Sequence, residues 1–433
     1  MKRFSIHFFL VLAISATMIF ANGKTQENQQ NSPSNIHSLI QKNTARIFDS
    51  LVQIRRQLHQ YPELSGKEKE TAKKIKDYLI DLGLEVKTDI GGYSVVGILR
   101  SKNSGKIIAW RADIDAFANT FPDVVDFRSK VEGVRHICGH DVHATIGMGI
   151  ANVLSSVKDS LNGTIVFIFQ PAEENATGAK RMIADGLYKI AKPDEIYALH
   201  INPLQVGFVT TKSNELYAYE KVLSINFRGV VKKDTLVNYM KSLLRRCSTV
   251  DKRIWDFRNL GDPNIGISSP ASIYRNYLAI EDRLDIRDKD DEVTIKASLY
   301  GTDKNQLDLL PSKLKEAIQV SEFAQNLAAI DYTEKYPTVY NDPDLTEKSS
   351  KAIVSIYGQN SFIPSFGVVP GFNDDFAYFQ QDLPGVYFGL GGSNYEKGIV
   401  SMPHTPNFAV DEECIAIGVK YFSSMIVERM KNE

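Results

Sequence analysis

Residues 136–143 bring together side chains that bind metals or act as nucleophiles. The stretch reads HICGHDVH and contains His136, Cys138, His140 and His143, although the whole chain of 433 residues has only eight histidines and three cysteines. Imidazole and thiolate are ligand types that hold zinc and its neighbours in the first transition row. A cysteine activated by a histidine is the competing interpretation, because such a pair makes a nucleophile. The rest of the sequence has to separate a metal site from a nucleophile.

Further polar side chains follow apolar, strand-like runs. Taken singly, each has an ordinary structural explanation. A histidine can be hydrogen-bonded inside the fold, a pair of glutamates can lie on a solvent-exposed face, and an aspartate can cap a turn. In sheets covered by helices on both faces, however, ligands bind beyond the carboxyl ends of the strands, so these side chains are expected to converge. Two metal ions need about five such ligands, and a neighbouring carboxylate then suffices as the base that activates water. The side chains are Asp113, Asp115, Glu173, Glu174 and His200, together with His404 in the loop before the last helix.

Strand and helix patterns alternate along most of the chain. The apolar runs KIIAW, TIVFIF and EIYAL are separated by segments with helical spacing, such as ATIGMGIANVLSSV. This alternation predicts an α/β core with a mixed, mostly parallel sheet covered on both faces. Between residues 219 and 330, apolar and polar residues alternate within the predicted strands, as they do in half-exposed strands. Each of these strands leads into a helix. That pattern predicts a separate two-layer α+β domain inserted into the core.

The N-terminus has the layout of a secretory signal peptide. Lys2 and Arg3 precede an apolar run from Phe4 to Ala21, and a polar segment follows. An uncleaved membrane anchor is the alternative. The predicted organisation is a signal peptide (1–21), a flexible tether (22–36), a catalytic domain in two parts (37–218 and 331–433) and the inserted domain (219–330). Export would make the protein secreted or periplasmic, without membrane insertion after cleavage of the signal.

The bulk charge argues against polyanionic partners. Lysine and arginine number 51 against 52 aspartates and glutamates, which gives a formal net charge of −1. The protein therefore has no net positive charge that would attract nucleic acid. A small molecule is the expected partner.

The quoted motifs resemble those of the metal-dependent amidohydrolases, the group of hippurate, N-acyl-amino-acid and auxin-conjugate hydrolases in the aminoacylase–carboxypeptidase superfamily. The matching stretches, in family order, are RRQLHQYPELSGKE, RADIDA, HICGHDVH, FQPAEENATGAKRMIADG, LHINPLQVG, FNDDFAYF, PGVYFGLG and PHTPNFAVDEE. The resemblance implies a zinc-peptidase-like core, a lid domain in place of the insert, and a homodimer paired through the lids.

The resemblance also implies roles for individual residues. Two divalent ions are expected, with zinc favoured by the thiolate and with manganese, cobalt and nickel as alternatives. Glu173 would be the general base and then the proton donor to the leaving amine. Asp115 would hold a ligand in place, as would Asp113 and His143. The implied metal ligands are Cys138, His140, Glu174, His200 and His404.

The lid departs from the family pattern in three places. Family lids carry a Gly-His-x-x-x-Pro stretch whose histidine steadies the oxyanion, whereas INFRGVVKKDTLVNYM has no histidine. The Asn-Val-Ile-Pro stretch is also missing, and its place falls near Arg287. Where the family has an arginine that grips a substrate carboxylate, this chain has Tyr300. Arg287 or Arg283 could take over that anion binding, so Arg287 and Tyr300 are the predicted substrate contacts.

Two functions follow from this comparison. The first is an exported metal-dependent hydrolase that cleaves C–N amide bonds of small N-acyl compounds. The second is a non-catalytic, metal-dependent binding protein that kept the core and lost turnover together with the lid residues. A nucleophilic Cys138 is disfavoured, because it would leave Glu173, Glu174, His200 and His404 without a role.

Overall fold

The computed structural model describes residues 33–334 and 336–431. The predicted signal peptide and most of the predicted tether lie outside these residues. The first helix begins at Pro33, within the range predicted as tether. Every helix in the described residues is too short or too polar to cross a membrane.

The first part of the catalytic domain contains five helices and nine strands. In chain order they are α1 (Pro33–Gln60), α2 (Lys69–Asp81), β1 (Glu85–Thr88), β2 (Val95–Arg100), β3 (Asn103–Asp113), β4 (Phe117–Ala118), β5 (Val134–Arg135), α3 (His140–Ser156), β6 (Asn162–Gln170), α4 (Gly178–Ala184), α5 (Leu187–Ile190), β7 (Glu195–Gln205), β8 (Val209–Thr211) and β9 (Asn214–Glu215).

The lid domain and the second part of the catalytic domain complete the chain. The lid contains β10 (Tyr219–Arg228), α6 (Lys233–Cys247), β11 (Leu278–Ile280), β12 (Asp285–Lys289), β13 (Glu292–Gly301), α7 (Lys304–Gln319) and β14 (Leu327–Glu334). The second part contains β15 (Tyr340–Asn341), α8 (Pro343–Tyr357), β16 (Phe362–Pro364), α9 (Ala377–Gln380), β17 (Gly385–Ser393) and α10 (Glu413–Arg429).

An eight-stranded sheet forms the centre of the catalytic domain, in the order β1-β2-β6-β3-β7-β17-β8-β16. The central strands β6, β3, β7 and β17 are parallel, and β1 and β2 add antiparallel pairs at one side. This confirms the predicted α/β core with a mixed, mostly parallel sheet.

Both faces of the sheet are covered, because successive residues of its strands point to opposite sides. Trp110 of β3 and Phe167 of β6 pack with the buried residues of α1, α3 and α10. Their neighbours Ala109 and Val166 pack on the other face, with buried residues of α4 and α9. The continuous apolar runs seen in the sequence are thus buried strands.

The lid has two layers, as predicted. Its sheet runs β11-β13-β10-β14, with β12 paired to β13, and all these pairs are antiparallel. Leu223 and Ile225 of β10 face α6 and α7, where they pack with Met240 and Leu314. β14 runs to Glu334, past the predicted end of the insert at residue 330.

The lid is hydrogen-bonded to the catalytic domain through the segment between α6 and β11. The backbone N–H groups of Phe366 and Gly367 donate to the Ile267 carbonyl at 2.7 and 3.1 Å. The Val368 N–H donates to the Tyr274 carbonyl, and the Tyr277 hydroxyl donates to the Val368 carbonyl, both at 2.8 Å. These bonds hold the lid against the loop before α9.

Candidate metal centre

The predicted site residues gather at the carboxyl edge of the parallel strands. β3 ends at Asp113 and β6 at Gln170, and the turns that follow carry Asp115 and the pair Glu173–Glu174. His200 lies in β7, directly beside β3 and β17. Parallel strands that end at one edge bring distant parts of the chain together, as the sequence pattern predicted.

Gly139 makes the turn between two of the predicted ligands. It precedes α3 with a φ of 94°, a conformation that side chains rarely adopt. A Cβ atom here would lie 3.3 Å from Phe408 Cζ and 3.4 Å from Ile201 Cβ. The glycine therefore allows the turn that brings the donor atoms of Cys138 and His140 together.

The five predicted ligands form two overlapping groups. Within each group, one ligand atom from every residue lies within 4.8 Å of the others. Cys138 belongs to both groups, and its Sγ lies 3.2 Å from His200 Nε2. The first group is Cys138, His140 and His200, and the second is Cys138, Glu174 and His404.

The donor set fits divalent metal ions. His140 Nε2 and Glu174 Oε1 are buried and have no hydrogen-bond partner among the described residues. Burial lowers the pKa of His200 far below its ordinary value, so its imidazole is neutral. Burial and the Glu174 carboxylate raise the pKa of the Cys138 thiol. A thiolate here therefore needs a cation beside it, which is the coupling expected of a metal ligand.

Asp115 orients two of the predicted ligands. Its side chain accepts hydrogen bonds from the Ser65 hydroxyl at 2.6 Å and from the backbone N–H of Glu174 at 3.0 Å. His140 Nδ1 lies 2.9 Å from the Asp115 carbonyl and 3.2 Å from Asp115 Oδ1. These contacts leave Nε2 of His140 as the ring nitrogen available to a metal ion, and they give Asp115 a positioning role.

Asp113 and His143 form a second support. His143 Nδ1 lies 2.7 Å from Asp113 Oδ1, and Nε2 accepts the backbone N–H of Ile201 at 2.9 Å. Because a carboxylate and an N–H group occupy its two nitrogens, His143 is a neutral donor at Nδ1. It anchors the strand next to His200 and leaves no nitrogen for a metal ion.

His404 approaches from the loop before α10. Its φ is 58°, its backbone N–H donates to the Ile137 carbonyl at 2.9 Å, and its ring lies 4.7 Å from the Phe117 ring, centre to centre. Nε2 lies 3.3 Å from Glu174 Oε2, while 46% of the side chain remains exposed. His404 thus forms the solvent-facing side of the site.

The predicted substrate residues of the lid contact residues other than the five predicted ligands. Arg287 lies on β12, is 69% exposed and forms an ion pair with Asp285 at 3.3 Å. The Tyr300 hydroxyl donates to Glu281 at 2.9 Å and lies 3.4 Å from a carboxylate oxygen of Glu220. Two acids beside Tyr300 do not suit the grip of a substrate carboxylate. Substrate binding by Arg287 and Tyr300 stays a prediction.

A buried charged cluster beside Glu173 adds Arg111, Asp374 and Asp375, which were not among the predicted site residues. Arg111 is fully buried and forms ion pairs with Asp113 at 2.6 Å, Asp374 at 3.0 Å and Asp375 at 3.2 Å. Carboxylate oxygens of Glu173, Asp374 and Asp375 lie within 4.8 Å of one another. The stretches RADIDA and FNDDFAYF, which carry these residues, were the available signal, but spacing alone did not assign them.

A second buried cluster holds the first turn of α3. His59 Nδ1 lies 2.8 Å from Asp141, and Nε2 lies 3.0 Å from Asp123. Arg55 pairs with Asp141 at 2.8 Å, and the His136 ring lies 6.4 Å from the His59 ring, centre to centre. Burial alone would lower the pKa of His59, but the hydrogen bonds to both aspartates outweigh it and raise that pKa. His59 is therefore a cation between two carboxylates.

Comparisons with known proteins identify the family. Residues 109–428 match the model of peptidase family M20/M25/M40. Thermostable carboxypeptidase 1 of Saccharolobus solfataricus is 32% identical over 389 residues, which cover 87% of this chain and 95% of the relative.

Solved structures show the same fold. A dinuclear metal-binding peptidase of family M20 from Bacillus subtilis superimposes with a TM-score of 0.70 at 25% identity, over 90% of this chain and 99% of the other. An aminopeptidase from Bacillus cereus shares the fold with a TM-score of 0.61 at 17% identity, over 89% and 99% of the two chains. The resemblance seen in the motifs is thereby confirmed, and the chain belongs to peptidase family M20/M25/M40, in the aminoacylase–carboxypeptidase superfamily of metal-dependent hydrolases.

Proposed function

We propose that this protein is an exported hydrolase that uses two divalent metal ions to cleave C–N amide bonds of small N-acyl compounds, with Glu173 as general base. The observation that carries the proposal is the convergence of the five donor residues around Cys138, with Glu173 beside them. Glu173 Oε2 lies 3.7 Å from His140 Nε2, which is one of the unpartnered donor atoms.

The donor residues and Glu173 have separate chemical tasks in this proposal. The ions, held by the five donors, would supply Lewis acidity and lower the pKa of water. Glu173 accepts the proton of the attacking water and passes it to the amine nitrogen as the C–N bond breaks. Burial and the neighbouring Asp374 raise the pKa of Glu173, which suits a carboxyl group that must both take and return a proton.

The relatives support the reaction class. A thermostable carboxypeptidase is similar over nearly its whole length, and a carboxypeptidase cleaves a C–N bond next to a carboxyl-terminal residue. This supports peptides and N-acyl amino acids as substrates. The thiolate ligand supports zinc, and manganese, cobalt and nickel are the alternatives to screen.

Export and dimerisation are proposals that rest on the sequence. Lys2 and Arg3 before the apolar run from Phe4 to Ala21 support a cleaved signal and a secreted or periplasmic protein. The lid sheet is the surface through which a homodimer would form.

The test is amide hydrolysis by the mature protein reconstituted with each of the four metals. The panel contains N-acyl amino acids, dipeptides and uncharged amides, and Glu173→Gln serves as the matched variant, since it keeps the shape of the side chain. We expect turnover in the wild type and a loss of about 100-fold to 10,000-fold in the variant, at unchanged metal content.

Two outcomes would oppose the proposal. Unchanged turnover in Glu173→Gln would remove Glu173 from the mechanism. A wild-type protein that holds its metals and hydrolyses nothing on the panel would favour the non-catalytic binding protein, an interpretation to which the missing lid histidine also points.

A further inference from the structure

Tyr217 lies where the chain passes from the catalytic domain into the lid. Its backbone pairs with Val369 in a parallel bridge, and its carbonyl accepts the Thr338 hydroxyl at 2.8 Å. The adjacent Leu216 N–H donates to the Val339 carbonyl at 3.0 Å. Because the returning chain passes here as well, both connections between the domains hold the backbone of Tyr217 in place.

The ring of Tyr217 is fixed by two aromatic neighbours. It stacks on Phe372 at 6.5 Å and meets Tyr387 edge to face at 6.2 Å, centre to centre. The Tyr387 hydroxyl donates to Asp374, and Asp374 in turn belongs to the carboxylate cluster with Glu173. Through Tyr387 and Asp374, the ring of Tyr217 is thus linked to the carboxylate cluster that contains Glu173.

The hydroxyl of Tyr217 has no hydrogen-bond partner in the described part of the chain, although the side chain is only half-exposed. Tyrosine hydroxyls in such surroundings usually have a partner. Burial and the charges of Asp374, Cys138 and Glu173 raise the pKa of this phenol, so it stays protonated and acts as a donor. A protonated donor without an acceptor in the described residues is available to an acceptor in the substrate.

We propose that the Tyr217 hydroxyl donates a hydrogen bond to the oxyanion that forms on the scissile carbonyl, the task for which this lid has no histidine. The inference rests on the proposed amide hydrolysis. As the water oxygen bonds to the carbonyl carbon, the π electron pair moves onto the carbonyl oxygen, which Tyr217 stabilises without giving up its proton. Glu173 carries the water proton to the amine nitrogen, and collapse of the oxyanion breaks the C–N bond.

Three other phenols near Tyr217 are occupied. The Tyr300 hydroxyl bonds to Glu281, and the Tyr387 hydroxyl bonds to Asp374. Tyr219, two residues beyond Tyr217, donates to Glu215 at 2.8 Å. Tyr219 therefore offers a matched control on the same segment.

The experiment compares Tyr217→Phe with Tyr219→Phe in the metal-loaded full chain. Phenylalanine keeps the ring contacts and removes only the hydroxyl. With the best substrate of the panel, we expect kcat of Tyr217→Phe to fall by about 100-fold to 1,000-fold, the usual effect of losing one oxyanion donor. KM and metal content should stay close to wild type, and Tyr219→Phe should retain wild-type kcat.

A second measurement separates this inference from the proposed function. A phosphinic analogue of a dipeptide, which imitates the tetrahedral intermediate, is titrated by calorimetry into wild type and Tyr217→Phe. We expect at least a tenfold weaker affinity in the variant. Equal affinity, or kcat within twofold of wild type, overturns the role of Tyr217. Failure of the wild type to hydrolyse any panel member contradicts the proposed function instead, and the analogue titration still decides about Tyr217.

Discussion

Glu68 supports the turn that carries Glu173 and Glu174, and replacing it with glutamine has a predictable effect on stability. Glu68 is fully buried, and its Oε1 accepts the backbone N–H of Gly66 at 2.6 Å and of Ala172 at 2.9 Å. Its Oε2 is buried and has no partner among the described residues. Glutamine keeps the accepting oxygen and cannot ionise.

The magnitude follows from the pKa of Glu68. Burial, with a further contribution from Asp115, raises this pKa from its ordinary 4.5 to about 7. Between these values the folded protein binds more protons than the unfolded chain, so the carboxyl group lowers stability progressively as the pH rises through this window. At about 1.4 kcal/mol per pH unit, ionised Glu68 costs about 3 kcal/mol above pH 7 and less than about 1 kcal/mol at pH 5.

Urea unfolding of the metal-free proteins at pH 5 and pH 8 measures this effect. We expect Glu68→Gln to be more stable than wild type by about 2–3 kcal/mol at pH 8 and by less than about 1 kcal/mol at pH 5. Glu70→Gln, at an exposed position of the next turn, should change stability at neither pH. A gain that is the same at both pH values, or a loss at pH 8, would refute the reasoning.

Two further variants probe the geometry around α3. Gly139→Ala forces a side chain into a φ of 94° and against a phenylalanine ring, so it should lower the melting temperature and weaken zinc affinity. Gly133→Ala shares the positive φ but has open space around it, and therefore should lower only the melting temperature; equal zinc affinity in the two variants would contradict this. His59→Gln removes a cation whose pKa is higher in the folded protein than in the unfolded chain. The protonated His59 therefore stabilises the fold below pH 6.5, and this contribution is lost as the pH rises through the pKa of His59 in the folded protein. Its destabilisation by urea unfolding should be about 2 kcal/mol at pH 6 and smaller at pH 9, and a loss that grows with pH would oppose the ionised state.

Much of the candidate site was predictable because its residues follow buried strands. Three apolar runs end at Asp113, before the turn with Glu173 and near His200. If these runs are parallel strands, the three side chains lie at one edge of the sheet, independently of the loop conformations. The motif around Cys138 adds two donors at a fixed helix start. Patterning therefore sufficed to predict the convergence of distant residues.

The remaining features depend on contacts between segments that spacing does not reveal. Glu68 looks like any glutamate before a helix until its buried contact with Ala172 is seen. Tyr217 sits in a connecting stretch without periodicity, and its closeness to the site depends on the pairing with Val369. The hydrogen bonds of Tyr300 to Glu220 and Glu281 likewise depend on how the strands of the lid pair, which the sequence does not show.

The central claim is that Cys138 and the four donor side chains around it hold two ions, and the most direct test is the metal content per chain. After reconstitution with zinc and desalting, mass spectrometry should find about two ions in wild type and about one in His200→Ala or His404→Ala, since each removes a ligand of only one group. Cys247→Ser, a substitution in the lid, should keep about two. Two ions retained in both histidine variants, or less than one ion in the wild type, would contradict the account.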